Sequence, residues 1–252
     1  MIRNSYSHHP NFNQSTLNEP SEGFKSNIDF TKYPDMLACY EKLKPIFGEN
    51  FILCNGCENA VRITLQVLTK LGIKNLGYAI PTWGMIDVYC SMFDIMPITK
   101  DFIYYEKDSI IKEPDLEADC IYSCNGKNNL FEYKIGKYKS TYKIIDTTYT
   151  KIEFENDSYI YVGSLGKKYG CGIRLGYIRF PTELKDIFNL FREQYINSGA
   201  EKLILNGLID RIAPDSYTVK KGIIRGDFKT YFLKTDRGNK QYFTRIGNEY
   251  NR

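Results

Sequence analysis

Ser164-Leu165-Gly166-Lys167-Lys168-Tyr169-Gly170-Cys171-Gly172-Ile173-Arg174-Leu175-Gly176-Tyr177 is the stretch on which the reading of this chain turns. It follows a β-rich run, Ser158 to Val162, so the pattern is strand, glycine-rich turn, strand. Four glycines surround two lysines and an arginine. Bare backbone amides and fixed positive charge then converge on one small volume, which suits a dianionic phosphate. A lysine kept among cations and partly out of water can attack a carbonyl to form a Schiff base. The plain alternative is a basic surface turn whose glycines serve tight geometry.

The rest of the composition narrows the field. A chain of 252 residues with 42% hydrophobic and 15% aromatic content can bury a core, so disorder is not expected. A net charge of +4, from 34 basic and 30 acidic residues, is too balanced for a nucleic-acid footprint. No run is long and apolar enough to span a membrane, and the polar N-terminus lacks a signal-peptide core. Seven cysteines, mostly inside apolar runs, fit reduced thiols in a cytoplasmic protein better than a disulfide framework. Cys54 and Cys57 form a C-x-x-C, but free cysteine is a favoured core residue, so no metal site is expected. The only histidines are His8 and His9 in the N-terminal arm. Histidine-based hydrolase or protease chemistry is thereby excluded from the body, and proton transfer falls to lysine, carboxylate, tyrosine or cysteine.

Taken in order, residues 1–32 read as an extended arm, 33–180 as a large α/β domain, and 181–252 as helices followed by a reduced α+β domain. Tyr33-Pro34-Asp35 opens a helix through Leu37, Tyr40 and Leu43. Phe51 to Cys54 is a short buried lead-in to a second helix that starts at Asn55-Gly56-Cys57-Glu58 and ends near Gly72. The start of that helix is a ready anion site. Runs at Leu76–Ile80, Ile95–Ile98, Cys120–Ser123, Lys143–Ile145, Tyr159–Val162 and Ile173–Ile178 read as strands, and several of them are continuous apolar stretches, as expected of strands buried on both faces. Helices are expected over Leu184–Tyr195 and Glu201–Ile212, with weaker strands at Gly222–Arg225 and Tyr242–Ile246.

Together these stretches resemble the fold-type I pyridoxal 5′-phosphate enzymes, closest to the histidinol-phosphate and aspartate aminotransferases, from about Tyr33 to Tyr177 in family order. The resemblance implies a three-layer, mostly parallel sheet of the seven-stranded type. Ser164-Leu165-Gly166-Lys167 is similar to the family's Ser-x-x-Lys, which implies Lys167 as the Schiff-base lysine and Ser164 as a phosphate ligand; Lys168 is the rival. Arg174 resembles the phosphate-clamping arginine, seven residues after Lys167 where the family usually has eight. Asp146-Thr147-Thr148-Tyr149 resembles Asp-x-x-Tyr, with Asp146 beside the pyridine nitrogen and Tyr149 donating to the ring's phenolate oxygen. Asn128, in Asn125-Gly126-Lys127-Asn128-Asn129, is implied as the other donor to that oxygen. Trp83, in Pro81-Thr82-Trp83, would stack on the ring. Gly56, Cys57 and Glu58 match the phosphate-cup turn. Tyr33 resembles a tyrosine that reaches the neighbouring subunit's phosphate, which implies a homodimer.

The departures are large. The segments Asn128–Asp146 and Asp146–Lys167 are short for the family, implying lost crossover helices, and the C-terminal domain is reduced. The arginine expected to grip a substrate carboxylate is assigned to Arg245, with Arg225 as runner-up. Three readings stay open: an aminotransferase acting on an amino acid and a keto acid, a decarboxylase of (phospho)amino acids on the same cofactor, and a non-catalytic scaffold.

Overall fold

The structure, a computed structural model, describes residues 33–80, 82–101, 103–105, 110–123, 132–134, 136–148, 152, 154–165, 174–207, 228–235 and 238–245. Helix α1 (Met36–Phe47) starts where the Asp35 carboxylate accepts the Ala38 N–H at 3.0 Å, a side-chain cap on an otherwise unpaired donor. Strand β1 (Phe51–Cys54) leads into α2 (Cys57–Lys70), then β2 (Asn75–Ile80), α3 (Met85–Met92) and β3 (Met96–Asp101). Short strands follow: β4 (Ile103–Tyr105), β5 (Ile110–Lys112), β6 (Leu116–Glu117), β7 (Cys120–Ser123), β8 (Glu132–Lys134) and β9 (Tyr138–Lys139). Next come β10 (Tyr142–Asp146), β11 (Ile160–Ser164) and β12 (Gly176–Arg179). After a 3₁₀ turn at Thr182–Leu184 the chain forms α4 (Lys185–Phe191) and α5 (Ser198–Leu205), and beyond them a hairpin of β13 (Phe228–Thr235) and β14 (Gly238–Arg245).

Seven strands make one sheet in the order β1-β12-β11-β10-β7-β2-β3. Strand β12 alone runs against its neighbours, antiparallel to β1 on one side and to β11 on the other. The remaining contacts, β11 to β10, β10 to β7, β7 to β2 and β2 to β3, are parallel. This is the mixed, mostly parallel seven-stranded sheet expected from the sequence. The run Phe51–Cys54, read as a lead-in, is a full strand at the sheet's end, because all four residues are buried and pair with β12.

Alternation along the strands builds two cores. Ile52, Cys54, Tyr122, Ile144, Val162 and Ile178 face the layer of α2, α3 and α4. Leu53, Ile145, Tyr161 and Tyr177 face the opposite layer, where Cys39, Leu43 and Phe47 of α1 meet Ala200 and Ile204 of α5. The result is helix, sheet, helix, the arrangement that covers a mostly parallel sheet on both faces. Burying a single large apolar side chain on either face contributes about 1.5–3 kcal/mol.

Two helices differ from the sequence reading. The Leu184–Tyr195 pattern yields a helix only to Phe191, with Arg192 already extended (ψ 145°). The next residue, Glu193, bonds the turn before α2, and that long-range contact draws the chain off its helical path. Helix α5 begins three residues earlier than expected, because Asn197 accepts the Ala200 N–H at 2.8 Å and caps it. Where the chain is described, β8 and β9 occupy part of the region between β7 and β10, and residues 154–159 ahead of β11 contain no helix. The Gly222–Arg225 strand lies outside the described residues.

Helix α4 is held by Phe188, fully buried and stacked on Phe180 with centroids 4.4 Å apart and planes 6° from parallel. Phe188→Ala is expected to cost about 3–5 kcal/mol by the cavity it leaves, read as a lower midpoint in urea unfolding.

Candidate functional site

The site forms where the parallel strands end and α2 begins. Asp146 closes β10 and is 9% exposed. Its Oδ2 accepts from the Tyr122 hydroxyl at 2.7 Å, and its Oδ1 accepts from the Thr148 N–H at 2.8 Å and from the Cys57 thiol at 3.8 Å. Tyr122 lies in register with Ile144, two residues before Asp146. A tyrosine is long enough to cover those two residues of strand rise. Next to the acid, Thr147 anchors the edge: its N–H and hydroxyl donate to the Val162 carbonyl at 2.8 and 3.1 Å, and the hydroxyl also bonds the buried Tyr177 hydroxyl. Burial holds the Tyr177 phenol neutral by raising its pKa above the ordinary value.

Two glycines set the distance between helix and sheet. A Cβ on Gly176 would meet the Gly56 carbonyl carbon at 2.4 Å and the Cys57 nitrogen at 2.8 Å. Gly56 has φ +93°, a conformation that suits glycine, and a Cβ there would meet the Arg174 guanidinium at 3.2 Å. No side chain caps the start of α2, so its first amides point outward as donors at the positive end of the helix dipole. Arg174, itself at φ +51°, brings its guanidinium over this turn and lies 3.7 Å from the Glu58 carboxylate. The pair is half-exposed, so it contributes little to stability. Glu58 also accepts from the Tyr89 hydroxyl at 3.3 Å.

On the far side of this turn stands Glu193. Its carboxylate accepts from the Asn55 N–H at 2.7 Å, from the Asn55 side-chain amide at 2.9 Å and from the Asn59 side-chain amide. The segment after α4 thus grips the residues that set up the start of α2.

Of the residues singled out from sequence, Gly56, Cys57, Glu58, Asp146 and Arg174 come together here. Ser164 ends β11, in register with Gly176. The Leu165 N–H donates to the Leu175 carbonyl at 2.9 Å, so the segment between them leaves and re-enters the sheet at adjacent points. Trp83 is partly buried against the core, its ring 6.1 Å from that of Tyr89. Tyr33 is 78% exposed and stacks on Tyr195 with centroids 4.6 Å apart. Arg245 ends β14, opposite Phe228. Lys167, Lys168, Asn128, Tyr149 and Arg225 lie outside the described residues. Tyr122, Thr148, Gly176 and Glu193 were not singled out from sequence. Only the strand register, placing Tyr122 beside the Asp146 strand, could have signalled the first of them.

Cys54, the other half of the C-x-x-C, is fully buried with its thiol turned to the Gly56 carbonyl at 3.6 Å. Among the described residues no helix is long and apolar enough to cross a membrane.

No family model and no curated protein matches the chain. Solved structures do. Histidinol-phosphate aminotransferase from Clostridium acetobutylicum superposes with a TM-score of 0.55 at 16% identity, over 78% of this chain and 66% of that one. N-Succinyldiaminopimelate aminotransferase from Mycobacterium tuberculosis gives 0.51 at 12%, over 71% and 58%. L-Threonine-O-3-phosphate decarboxylase from Porphyromonas gingivalis gives 0.51 at 16%, over 72% and 62%. The chain spans about two thirds or less of the length of these proteins. It has their fold, the one its sequence motifs resemble.

Two outcomes follow from this geometry. Gly176→Ala forces backbone against backbone and is expected to cost about 1–3 kcal/mol in urea unfolding. Burial, reinforced by nearby carboxylates, pushes the Cys39 thiol up to about 12 and the Cys90 thiol up to about 11. Thiolate is therefore scarce at pH 8. Iodoacetamide followed by peptide mapping should label half-buried Cys57 well before Cys39 or Cys90, whose labelling should rise only as the pH approaches those values.

Proposed function

We propose that the chain is a pyridoxal 5′-phosphate-dependent enzyme that moves an amino group from an amino acid to a keto acid, with Lys167 as the covalent attachment point of the cofactor. The observation that carries this reading is the Asp146 carboxylate, buried at the end of β10, held by three donors and set beside an uncapped helix start and a guanidinium. The donor set fits the group at both of its ends. The outward amides of Cys57 and its neighbours, with Arg174, suit a phosphate dianion; Ser164 would add a hydroxyl. The buried carboxylate suits a protonated ring nitrogen. When bound, such a cofactor supplies an electron sink for a carbanion at the substrate's α-carbon.

Each residue then has a task of its own. Asp146 holds a positive charge at the ring nitrogen. Arg174 and the α2 amides fix the phosphate, and Trp83 covers a ring face. Lys167 follows Leu165 by two residues, so the covalent chain limits the separation of their Cα atoms to roughly 7 Å. Its amine, once released from the cofactor, would take the α-proton from the substrate's Cα. Tyr149 and Asn128 would donate to the ring's phenolate oxygen, and Arg245 would receive the substrate carboxylate. A homodimer is part of the same proposal: Tyr33, just ahead of α1, and Leu37, in its first turn, are 78% and 74% exposed, and a second copy would cover them.

Loss of carbon dioxide in place of the α-proton is the second reading. It is favoured by the superposition on the threonine-phosphate decarboxylase, as good as that on the second aminotransferase. Which bond breaks is set by which one stands perpendicular to the ring, and so by the residues that grip the substrate carboxylate.

The test is direct. Protein supplied with pyridoxal 5′-phosphate should turn yellow, and borohydride should leave a pyridoxyl group on the Lys167 peptide. Lys167→Ala should abolish that label and lower keto-acid formation by about two to four orders of magnitude. Carbon dioxide release without keto acid would assign the decarboxylase. A colourless wild-type protein that takes up no cofactor would make the chain a scaffold and overturn the proposal.

A further inference from the structure

We infer that Tyr122 is a positioning residue: its hydroxyl fixes the orientation of the Asp146 carboxylate so that one defined acceptor direction is left for the ligand's ring nitrogen. The inference rests on reading Asp146 as the acid that faces this nitrogen. It adds a residue which no motif of the sequence marks.

A carboxylate offers about four acceptor directions, two on each oxygen. Here Oδ1 receives the Thr148 N–H and the Cys57 thiol, and Oδ2 receives the Tyr122 hydroxyl. Three directions are taken, and the fourth lies on Oδ2. The thiol is a weak donor at 3.8 Å, and the Thr148 amide alone holds one oxygen without fixing rotation about the Cβ–Cγ bond. Fixing that rotation requires a strong donor on the other oxygen, and Tyr122 provides it at 2.7 Å. The hydroxyl comes from a side chain 2% exposed, planted in a strand that is hydrogen-bonded to β10. Tyr122 and Asp146 project on the same face of the sheet, toward α2, since Tyr122 is in register with Ile144. The bond thus links two rigid strands, which places a polar group more finely than a loop can.

Tyr161 offers a matched comparison. It is also 2% exposed, and its hydroxyl accepts the Asn156 N–H at 2.9 Å, but it faces the opposite core. Removing the Tyr161 hydroxyl takes away its part-buried bond to the Asn156 N–H, whereas removing the Tyr122 hydroxyl takes away a bond to Asp146.

The experiment compares Tyr122→Phe with Tyr161→Phe in two arms. In ligand-free protein, hydrogen exchange and the chemical shift of the Thr148 amide report the carboxylate's hold on that N–H. Tyr122→Phe is expected to shift this resonance and to speed its exchange about tenfold, and Tyr161→Phe to leave both as in wild type. With pyridoxal 5′-phosphate added, Tyr122→Phe is expected to weaken binding about tenfold, the order of one hydrogen bond to a charged group. It should also change the visible circular-dichroism band per bound cofactor, which a purely structural loss would not move. If Tyr122→Phe does not fold, Tyr122→Met, which fills the space without a hydroxyl, takes its place. A Tyr122 variant that matches Tyr161→Phe in both arms overturns the inference. If wild-type protein binds no cofactor, the reading of the site fails. The Thr148 amide then still decides whether Tyr122 orients Asp146, and an unchanged amide overturns that as well.

Discussion

Everything at this site depends on how closely two backbones can approach. Gly176 opens β12 and Gly56 precedes α2, and they lie so near that a single added carbon would fall 2.4 Å from the opposing carbonyl carbon. That contact brings the first amides of α2 down to the end of the sheet, beside the strand on which Asp146 emerges. A bulkier pair would lift the helix, and the Cys57 thiol could no longer reach the Asp146 carboxylate. The uncapped start of α2 and the strand end that carries Asp146 are therefore fixed relative to one another by backbone packing and sheet pairing rather than by flexible side chains.

The antiparallel strand is what makes this possible. Because β12 returns against β11, Ser164 and Gly176 are paired and the Leu165 N–H donates to the Leu175 carbonyl beside them. The chain leaves β11 after Ser164 at the same edge of the sheet as Asp146, whose strand is the parallel neighbour of β11. The order of motifs along the chain thus becomes convergence in space through one reversal of direction. The shortened connections do not disturb it, since the sheet keeps its order even where residues 154–159 carry no helix.

Much of this was legible in the sequence. Continuous apolar runs gave the buried strands, because strands covered on both faces have no polar side to show. Gly56, Asp146 and Arg174 could be named because the short motifs that hold them resemble those of a known family and follow in its order. What stayed hidden was relational. Tyr122 looks like one more aromatic in an apolar run, and its role appears only when the register sets it beside Ile144. Phe51–Cys54 is too short to declare itself a strand until β12 pairs with it. Periodicity carried the helix after Leu184 through Tyr195, but a glutamate bonded to a turn 138 residues away outweighs local propensity.

Glu193 also changes what the C-terminal region is for. Helices α4 and α5 lie on opposite faces of the sheet, one through Phe188 and the other through Ala200 and Ile204. The six residues between the two helices cross from one face to the other. On the way, Glu193 grips Asn55 and Asn59, and Tyr195 stacks on Tyr33. The start of α1, the start of α2 and the sheet's end strand are thereby tied by a single crossing. Each bond alone is modest, about 0.5–1.5 kcal/mol for a neutral donor and up to roughly 3 for one to a charged group. The Glu193 bonds act together on Asn55 and Asn59, on either side of the first α2 amides, and so hold in place donors that belong to the backbone.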